Sequence, residues 1–535
     1  MKANTQPLRA AVVAPHHLAA EAGAGVLGEG GNALEAMVAA AASIAVVYPH
    51  MNSIGGDGFW LIQEPGRPPL GIDASGVAAA LATPAWYRER GETGRIPHRG
   101  GLAANTVAGT IAGWSEALDH SRWRWGGTMP LSRLLAPAIA HAGSGITVTR
   151  SQAETLSGKQ DELVGRPEFD ETFLIDGRLP EAGDHYVQSH LADVLRRLVN
   201  AGLDDFYRGE IATMLAAGLE AAGSPLRLAD LQNYRAHCVR PLVLDTAVGA
   251  LQNMPPPTQG LASILILGLY QQISAAHPHK PETLEYLHAL VESTKLAFRV
   301  RDRVVTDPSR LPEDPMDILQ AERVAAMARE FDPQQAAPWP PSRGAGDTVW
   351  LGAVDAQGRS VSFIQSTYHE FGSGIVAPGS GVVWQNRGCS FDLDETALNA
   401  LGPGRRPFHT LNPAIAQLGD GRTVVYGTMG GEGQPQTQAA IFSRAILHGY
   451  TPEQAVAAPR WLLGRTWGSG TDSLKIEDDM PAEVIDGMRR LGHLVDVVPA
   501  CNSMMGHAGM LILDADGGII GASDPRCDGA VAGVN

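Results

Sequence analysis

The residue whose setting most strongly suggests chemistry is Thr348, in the run GDTVWLG. A threonine hydroxyl is a weak nucleophile unless a base lies beside it. One economical base is the residue's own α-amino group, whose unperturbed pKa of about 7.7 to 8.0 suits proton transfer at neutral pH. That amine exists only if the bond between Asp347 and Thr348 is cut. The neighbouring sequence favours such a cut. PQQAAPWPPSRGAG at 333–346 is rich in Pro and small residues and reads as an exposed linker, because it can propagate neither a helix nor a ladder. TVWLGAVDAQGRSVSFIQST then reads as two strands joined by the turn DAQG. A cut where an exposed linker meets a buried strand leaves the new amine inside a pocket. The chemistry to expect is nucleophilic attack by a self-generated N-terminal threonine.

Other motifs fail on context. Gly23, Gly25 and Gly28 spell G-x-G-x-x-G, but they fall inside a helical pattern with no acid about 20 residues on, so a dinucleotide site is not expected. His277 and His279 form HPH in a turn without a third ligand. No G-x-S-x-G elbow occurs. Cys238, Cys389, Cys501 and Cys527 are widely spaced, with no CxxC, and read as reduced structural thiols. No metal or cofactor is expected.

The elements that must position Thr348 follow from periodicity. AAVVA at 10–14 reads as a strand, and the Ala-rich stretch to Val47 reads as two packed helices broken at Gly30 to Asn32. NSIGGDGFW at 52–60 suggests tight turns and strands. Residues 130–240 look mainly helical, as does LEYLHALVESTKLAFRVRDR. DGRTVVYGTMGG and GHAGMLILDADGGIIGASDPR are strand-rich. With 535 residues, 44% apolar and 18% charged, the chain is long enough and apolar enough to fold throughout. Its formal charge of −16 is dispersed, which argues against a nucleic-acid partner. MKANTQPLRA lacks the apolar core of a signal peptide, and Ala33 to Tyr48 is too short and too interrupted to cross a bilayer, so a cytoplasmic protein with no membrane partner is expected.

Several ordered blocks resemble the γ-glutamyltranspeptidases of the N-terminal nucleophile hydrolase superfamily: LGEGGNALEA at 27–36, NSIGGDGF at 52–59, TVAGTIAGW at 106–114, MPPPTQG at 254–260, RRPFHTLNP at 405–413, TMGGEGQPQ at 428–436, APRW at 458–461 and GASDPR at 521–526. The resemblance implies an α+β fold, a four-layer αββα sandwich built from chains 1–347 and 348–535 after autocatalytic cleavage between Asp347 and Thr348. It implies that Thr348 is the nucleophile, Ser366 a supporting hydroxyl, and Gly430 and Gly431 the oxyanion hole. The two-chain unit could also dimerise.

The family's grip on glutamate is altered in this sequence. Its Arg position falls at Ser75, its Asn at Tyr368, its Asp at Ser390, and its serine pair at His409 and Thr410. Loss of the partners for a carboxylate and an ammonium predicts poor glutamyl recognition. Arg387 and Glu432 instead bring charge where the family is usually neutral, and Tyr368 and His369 add bulk. These six positions, Arg387, Tyr368, His369, Glu432, Thr410 and His409, are the candidate substrate contacts, although Arg387 could simply pair with an acid such as Glu432. A small anionic amide is the expected substrate. GDTVWLG, SFIQSTYHEFGSG and VVWQNRG resemble the oxamate-hydrolysing branch of the family, linked to nitrogen recovery from purines and allantoin. The alternatives are a γ-glutamyl hydrolase or transpeptidase, a glutaryl β-lactam acylase, and a non-catalytic binder that has kept the fold.

Overall fold

The computed structural model describes residues 7–339, 346–465 and 471–535. The chain opens with strand β1 (Ala10–Ala14) and helices α1 (His17–Gly28) and α2 (Ala33–Val47), as the pattern predicts. Asn32 starts α2: its side chain accepts from the N–H groups of Leu34 and Glu35, and Glu35 accepts from the N–H of Asn32 at 2.9 Å. These bonds satisfy donors that a helix start leaves open. Every residue of α2 is buried, which its small side chains permit. A β-carbon on Gly23 would lie 2.9 Å from the Ala36 carbonyl oxygen. At least that glycine of the G-x-G-x-x-G run therefore serves the contact of α1 with α2.

Next in chain order come β2 (Asp57–Gln63), β3 (Leu70–Ala74), β4 (His237–Val239), β5 (Leu242–Thr246) and β6 (Gly249–Asn253). They are followed by α3 (Gly260–Ala276), α4 (Leu284–Val304), β7 (Asp347–Val354) and β8 (Ser360–Tyr368). The chain continues through β9 (Ala414–Leu418), β10 (Thr423–Thr428), α5 (Gln434–Phe442), β11 (Ala508–Leu513), β12 (Ile519–Ser523) and β13 (Ala530–Val534). The region 130–240 is mainly helical, including Leu131–Ser144, Ser189–Ala201 and Glu210–Ala221.

One antiparallel sheet runs β13-β1-β7-β8-β2-β3-β4, and a second runs β12-β11-β10-β9-β6-β5. Alternation along each strand decides which layer a side chain enters. Phe59, Leu61, Trp350, Ile364, Ile415, Val425 and Leu511 fill the space between the sheets. Trp60, Val349, Leu351 and Phe363 point the other way, into the core shared with α1 and α2. On the far side Ala416, Val424 and Tyr426 pack with α3 and α4. The result is helix, sheet, sheet, helix, the α+β sandwich expected. Strands from before and after residue 348 pair directly within both sheets, so the two segments are held together by ladders and not only by the covalent chain.

Upstream of β7, residues 333–339 form no regular element, as expected of a linker; its remaining residues 340–345 lie outside the described residues. The linker is tied down at its start. His288 Nε2 donates to the Asp332 carbonyl at 2.8 Å. Glu292 accepts from the Ala337 N–H at 3.1 Å, and Lys295 Nζ donates to the Ala337 carbonyl at 2.6 Å. His288, Glu292 and His493 are close enough together to suggest a metal, but the Lys295 ammonium lies 2.7 Å from Glu292 and 3.5 Å from His493 Nδ1. A cation is thus already in place, and the cluster anchors chain. In the HPH turn, His279 bonds the carbonyl of His277 at 2.8 Å and the hydroxyl of Tyr270 at 2.9 Å. The four cysteines form no disulfide, and no helix among the described residues is long and apolar enough to cross a membrane.

Candidate active site

Thr348 sits where the ladder between β7 and β8 breaks step. Val349 pairs with Gln365 and Asp347 with Tyr368, so Ser366 and Thr367 together oppose the single Thr348. Such a bulge bends its strand and re-aims side chains, and bulges cluster near active sites for that reason. Thr348 is buried, and Gln434 Nε2 at the start of α5 points at its Oγ1 from 3.4 Å. Gln434 is itself held by Asn412, whose Nδ2 donates to Oε1 at 3.0 Å and to the Thr410 carbonyl at 2.8 Å. Ser366 lies in the bulge, and its Oγ accepts from the Tyr368 N–H at 2.8 Å. Tyr368 adopts φ 83°, a conformation that costs a bulky residue about 1–3 kcal/mol and persists only where its surroundings impose it.

Gly430 and Gly431 follow β10 with φ of 121° and 53°, values glycine reaches cheaply. A β-carbon on Gly431 would lie 2.6 Å from the carbonyl oxygen of Gly346. In the uncut chain, the residue two places before Thr348 therefore rests on the glycine pair. The pair is fixed from behind by Gln259, whose Nε2 donates to the carbonyls of Gly431 at 2.9 Å and Thr410 at 2.8 Å. Glu432, next in sequence, pairs with Arg301 at 3.1 Å, and Arg301 also bonds Gln259 Oε1 at 3.1 Å. The acid that Arg387 could have claimed is thus engaged elsewhere.

Arg387 opens the short turn Arg387–Ser390 and is 1% exposed. Its Nη1 donates to Thr410 Oγ1 at 3.1 Å, and its Cζ lies 3.7 Å over the ring of Tyr368. Its Nε and Nη2 have no partner among the described residues, and no carboxylate there pairs with it directly. Burial pulls this guanidinium from 12.5 to about 10, partly offset by Tyr368 and Asp57. A buried cation with two free donors is costly unless an anion arrives.

His409 lies behind Arg387. It is fully buried; its Nε2 is 3.1 Å from Asp57 Oδ2, while its Nδ1 has no partner among the described residues. Burial, then Arg387, holds the imidazole pKa well below its usual value. Asp57 Oδ1 accepts from Gln385 Nε2 at 2.8 Å and from the N–H groups of Gly76 at 2.9 Å and Gly109 at 3.2 Å. Burial pushes Asp57 up to about 7 against the pull of those donors and of Arg387. His369 packs its ring on Tyr368 and near His98, with centroids 4.5 Å and 5.8 Å apart. Ser75 is occupied locally, donating to Asp73 at 2.6 Å. Beside the site is a cavity of about 260 Å³ lined in part by Tyr368, Cys389, Ser390, Phe408, Glu432 and Arg301.

The structure therefore gathers Thr348, Ser366, Tyr368, Arg387, Thr410, Gly430 and Gly431 into one connected site. His409 and Glu432 stand behind it on Asp57 and Arg301. Reading the sequence missed Asp57, Gln259, Asn412 and Gln434, although each lies inside a quoted block. Arg301 carried no signal beyond its place on a helix.

A family model described as Gamma-glutamyltranspeptidase matches residues 19–534. The chain is 51% identical over 521 residues to the oxamate amidohydrolase proenzyme of Klebsiella pneumoniae, covering 97% of this chain and 98% of that protein. It is 36% identical over 524 residues to a glutathione hydrolase-like proenzyme of Bacillus subtilis, covering 98% of each. Among solved structures it is similar to a cephalosporin acylase from Bacillus halodurans, with TM-score 0.89, 31% identity, and coverage of 99% of this chain and 97% of that one.

Proposed function

The chain belongs to the gamma-glutamyltranspeptidase family, and on that footing we propose that it is an autoprocessed amide hydrolase that converts oxamate to oxalate and ammonia. In maturation, Thr348 Oγ attacks the carbonyl carbon of Asp347 and the C–N bond opens. Water then hydrolyses the resulting ester, giving chains 1–347 and 348–535. The freed α-amine of Thr348 becomes the base for turnover. It takes the hydroxyl proton as Oγ attacks the amide carbon, and it returns a proton to the departing nitrogen, which leaves as ammonia. The N–H groups of Gly430 and Gly431 receive the oxyanion. Water adds to the acyl-enzyme in the second half-reaction and releases the acid.

The observation that carries the substrate assignment is the buried Arg387 guanidinium, whose Nε and Nη2 have no partner among the described residues. Those two nitrogens form one edge of the planar fork, which matches a carboxylate bidentately. In oxamate the carboxylate is bonded directly to the carbonyl under attack, so anchor and reacting carbon need to be only a few ångströms apart. The Klebsiella relative named for this activity supports the same reading. Ammonia release from oxamate fits the recovery of purine and allantoin nitrogen that the sequence resemblance implies.

The test is ammonia release from oxamate, with glutamine and γ-glutamyl-p-nitroanilide in parallel, on protein shown by intact mass to be cut. Selective turnover of oxamate, abolished in Thr348→Ala, is the expected result. Turnover of the γ-glutamyl compounds without oxamate would overturn the substrate and return the site to the family's longer acyl groups.

A further inference from the structure

Arg387 needs a resident counter-charge when no substrate is bound, and no carboxylate among the described residues pairs with it directly. The carboxylate placed to act at a distance is Asp57. It reaches both segments that carry the guanidinium's setting: Gln385, two residues before Arg387, donates to Oδ1 at 2.8 Å, and His409, next to the Thr410 that bonds Nη1, meets Oδ2 at 3.1 Å. Asp57 also stands opposite Ser366 in the ladder between β2 and β8, one strand from Thr348. It is 0% exposed, so its charge acts on Arg387 through protein and not through water.

Resting on the reading of Arg387 as the anion anchor, we propose that Asp57 and His409 form a proton-accepting pair that compensates Arg387 in the empty site. The pair gains one proton when the substrate carboxylate takes over that role. The electrostatics require a response of this sign. A carboxylate docked on Arg387 cancels the positive field that favours ionised Asp57 and adds a second negative charge nearby, so the pair's affinity for protons rises. The proton comes from solvent: one proton already lies between His409 Nε2 and ionised Asp57 Oδ2, so uptake leaves the pair with two, the shared one and a second on His409 Nδ1.

Burial already brings Asp57 up to about 7, so the response falls in a measurable range. The other charged or titratable groups acting on the pair are Arg387 and the phenols of Tyr207 and Tyr234. Burial pushes both phenols upward, so they stay neutral. Asp57 and His409 are positioning residues, since neither needs to touch the substrate.

Calorimetric binding of oxalate, the product anion, to the matured wild-type protein in buffers of different ionisation enthalpy tests this without any variant. The expected result is uptake of about half a proton or more near pH 7 to 8, with KM for oxamate rising by up to about tenfold per pH unit above the pair's apparent pKa. In Asp57→Asn the uptake disappears and the KM profile flattens; His409→Gln serves if that variant does not mature. Oxalate binding without proton uptake at any pH from about 6 to 9, or uptake that survives Asp57→Asn, would overturn the proposal. Failure of the anchor itself is distinguishable: Arg387→Met would then leave oxalate affinity unchanged.

Discussion

Replacing Arg387 with methionine should move activity and stability in opposite directions. If Nε and Nη2 hold the substrate carboxylate, two charge-assisted hydrogen bonds are lost at roughly 1.5–3 kcal/mol each. A conservative total of about 3–4 kcal/mol corresponds to a fall in kcat/KM of about 200- to 1000-fold. Most of it should enter through KM, because the carboxylate is bound before and during attack. The fold has less to lose. Burial that brings Arg387 from 12.5 to about 10 corresponds to about 3 kcal/mol against the charged form. That net shift already includes the pull of Tyr368 and Asp57, and the hydrogen bond to Thr410 offsets about 1 kcal/mol more. Methionine fills similar volume with no charge, so stability should rise by about 2 kcal/mol, or about 2 °C in Tm for a chain of this size. Steady-state ammonia release and a thermal melt on the cut protein provide both numbers. A variant that melts several degrees lower yet hydrolyses oxamate normally would show that Arg387 is a structural cation and that its free nitrogens do not meet the substrate.

Thr348→Ala should remain one uncut chain and Thr348→Ser should still split after Asp347, as intact mass will show; a cut Thr348→Ala protein would remove Thr348 from its own maturation. Gly431→Ala places a β-carbon 2.6 Å from the Gly346 carbonyl oxygen at φ 53°, so uncut precursor should accumulate and turnover should fall at least about 100-fold; normal mass and rate would contradict the tight packing described. Asp57 binds its proton more tightly when folded, about 7 against 3.8, so its contribution is fully favourable below pH 3.8 and is lost as pH rises to about 7. Asp57→Asn should therefore remove from the pH dependence of unfolding a downward slope worth on the order of 4 kcal/mol across that window. Superimposable Tm-against-pH curves for the two proteins would show that this carboxyl does not titrate there.

The local elements were legible because their causes are local. The 3.6 and 2.0 periodicities, the Asn32 cap and the DAQG turn each depend on residues within a few positions of one another, and β1, α1, α2, β7 and β8 appear where those signals put them. Thr348 stood out because a Pro-rich stretch changes to a strand within a few residues. What surrounds Thr348 was not legible in that way. Whether Arg387 pairs with Glu432 could not be settled from two residues 45 positions apart; the tertiary structure gives Glu432 to Arg301, 131 residues away, and leaves two nitrogens of Arg387 without a partner among the described residues. Asp57 meets His409 across 352 residues and Gln434 meets Thr348 across 86. The sequence by itself therefore determined which segments become strands and helices and where the Pro-rich stretch gives way to the strand that carries Thr348, since these are near-neighbour effects. Which charged groups meet, Glu432 on Arg301 and Asp57 on His409, and which are buried together depended on chain closure over hundreds of residues, and only the packed sandwich decided them.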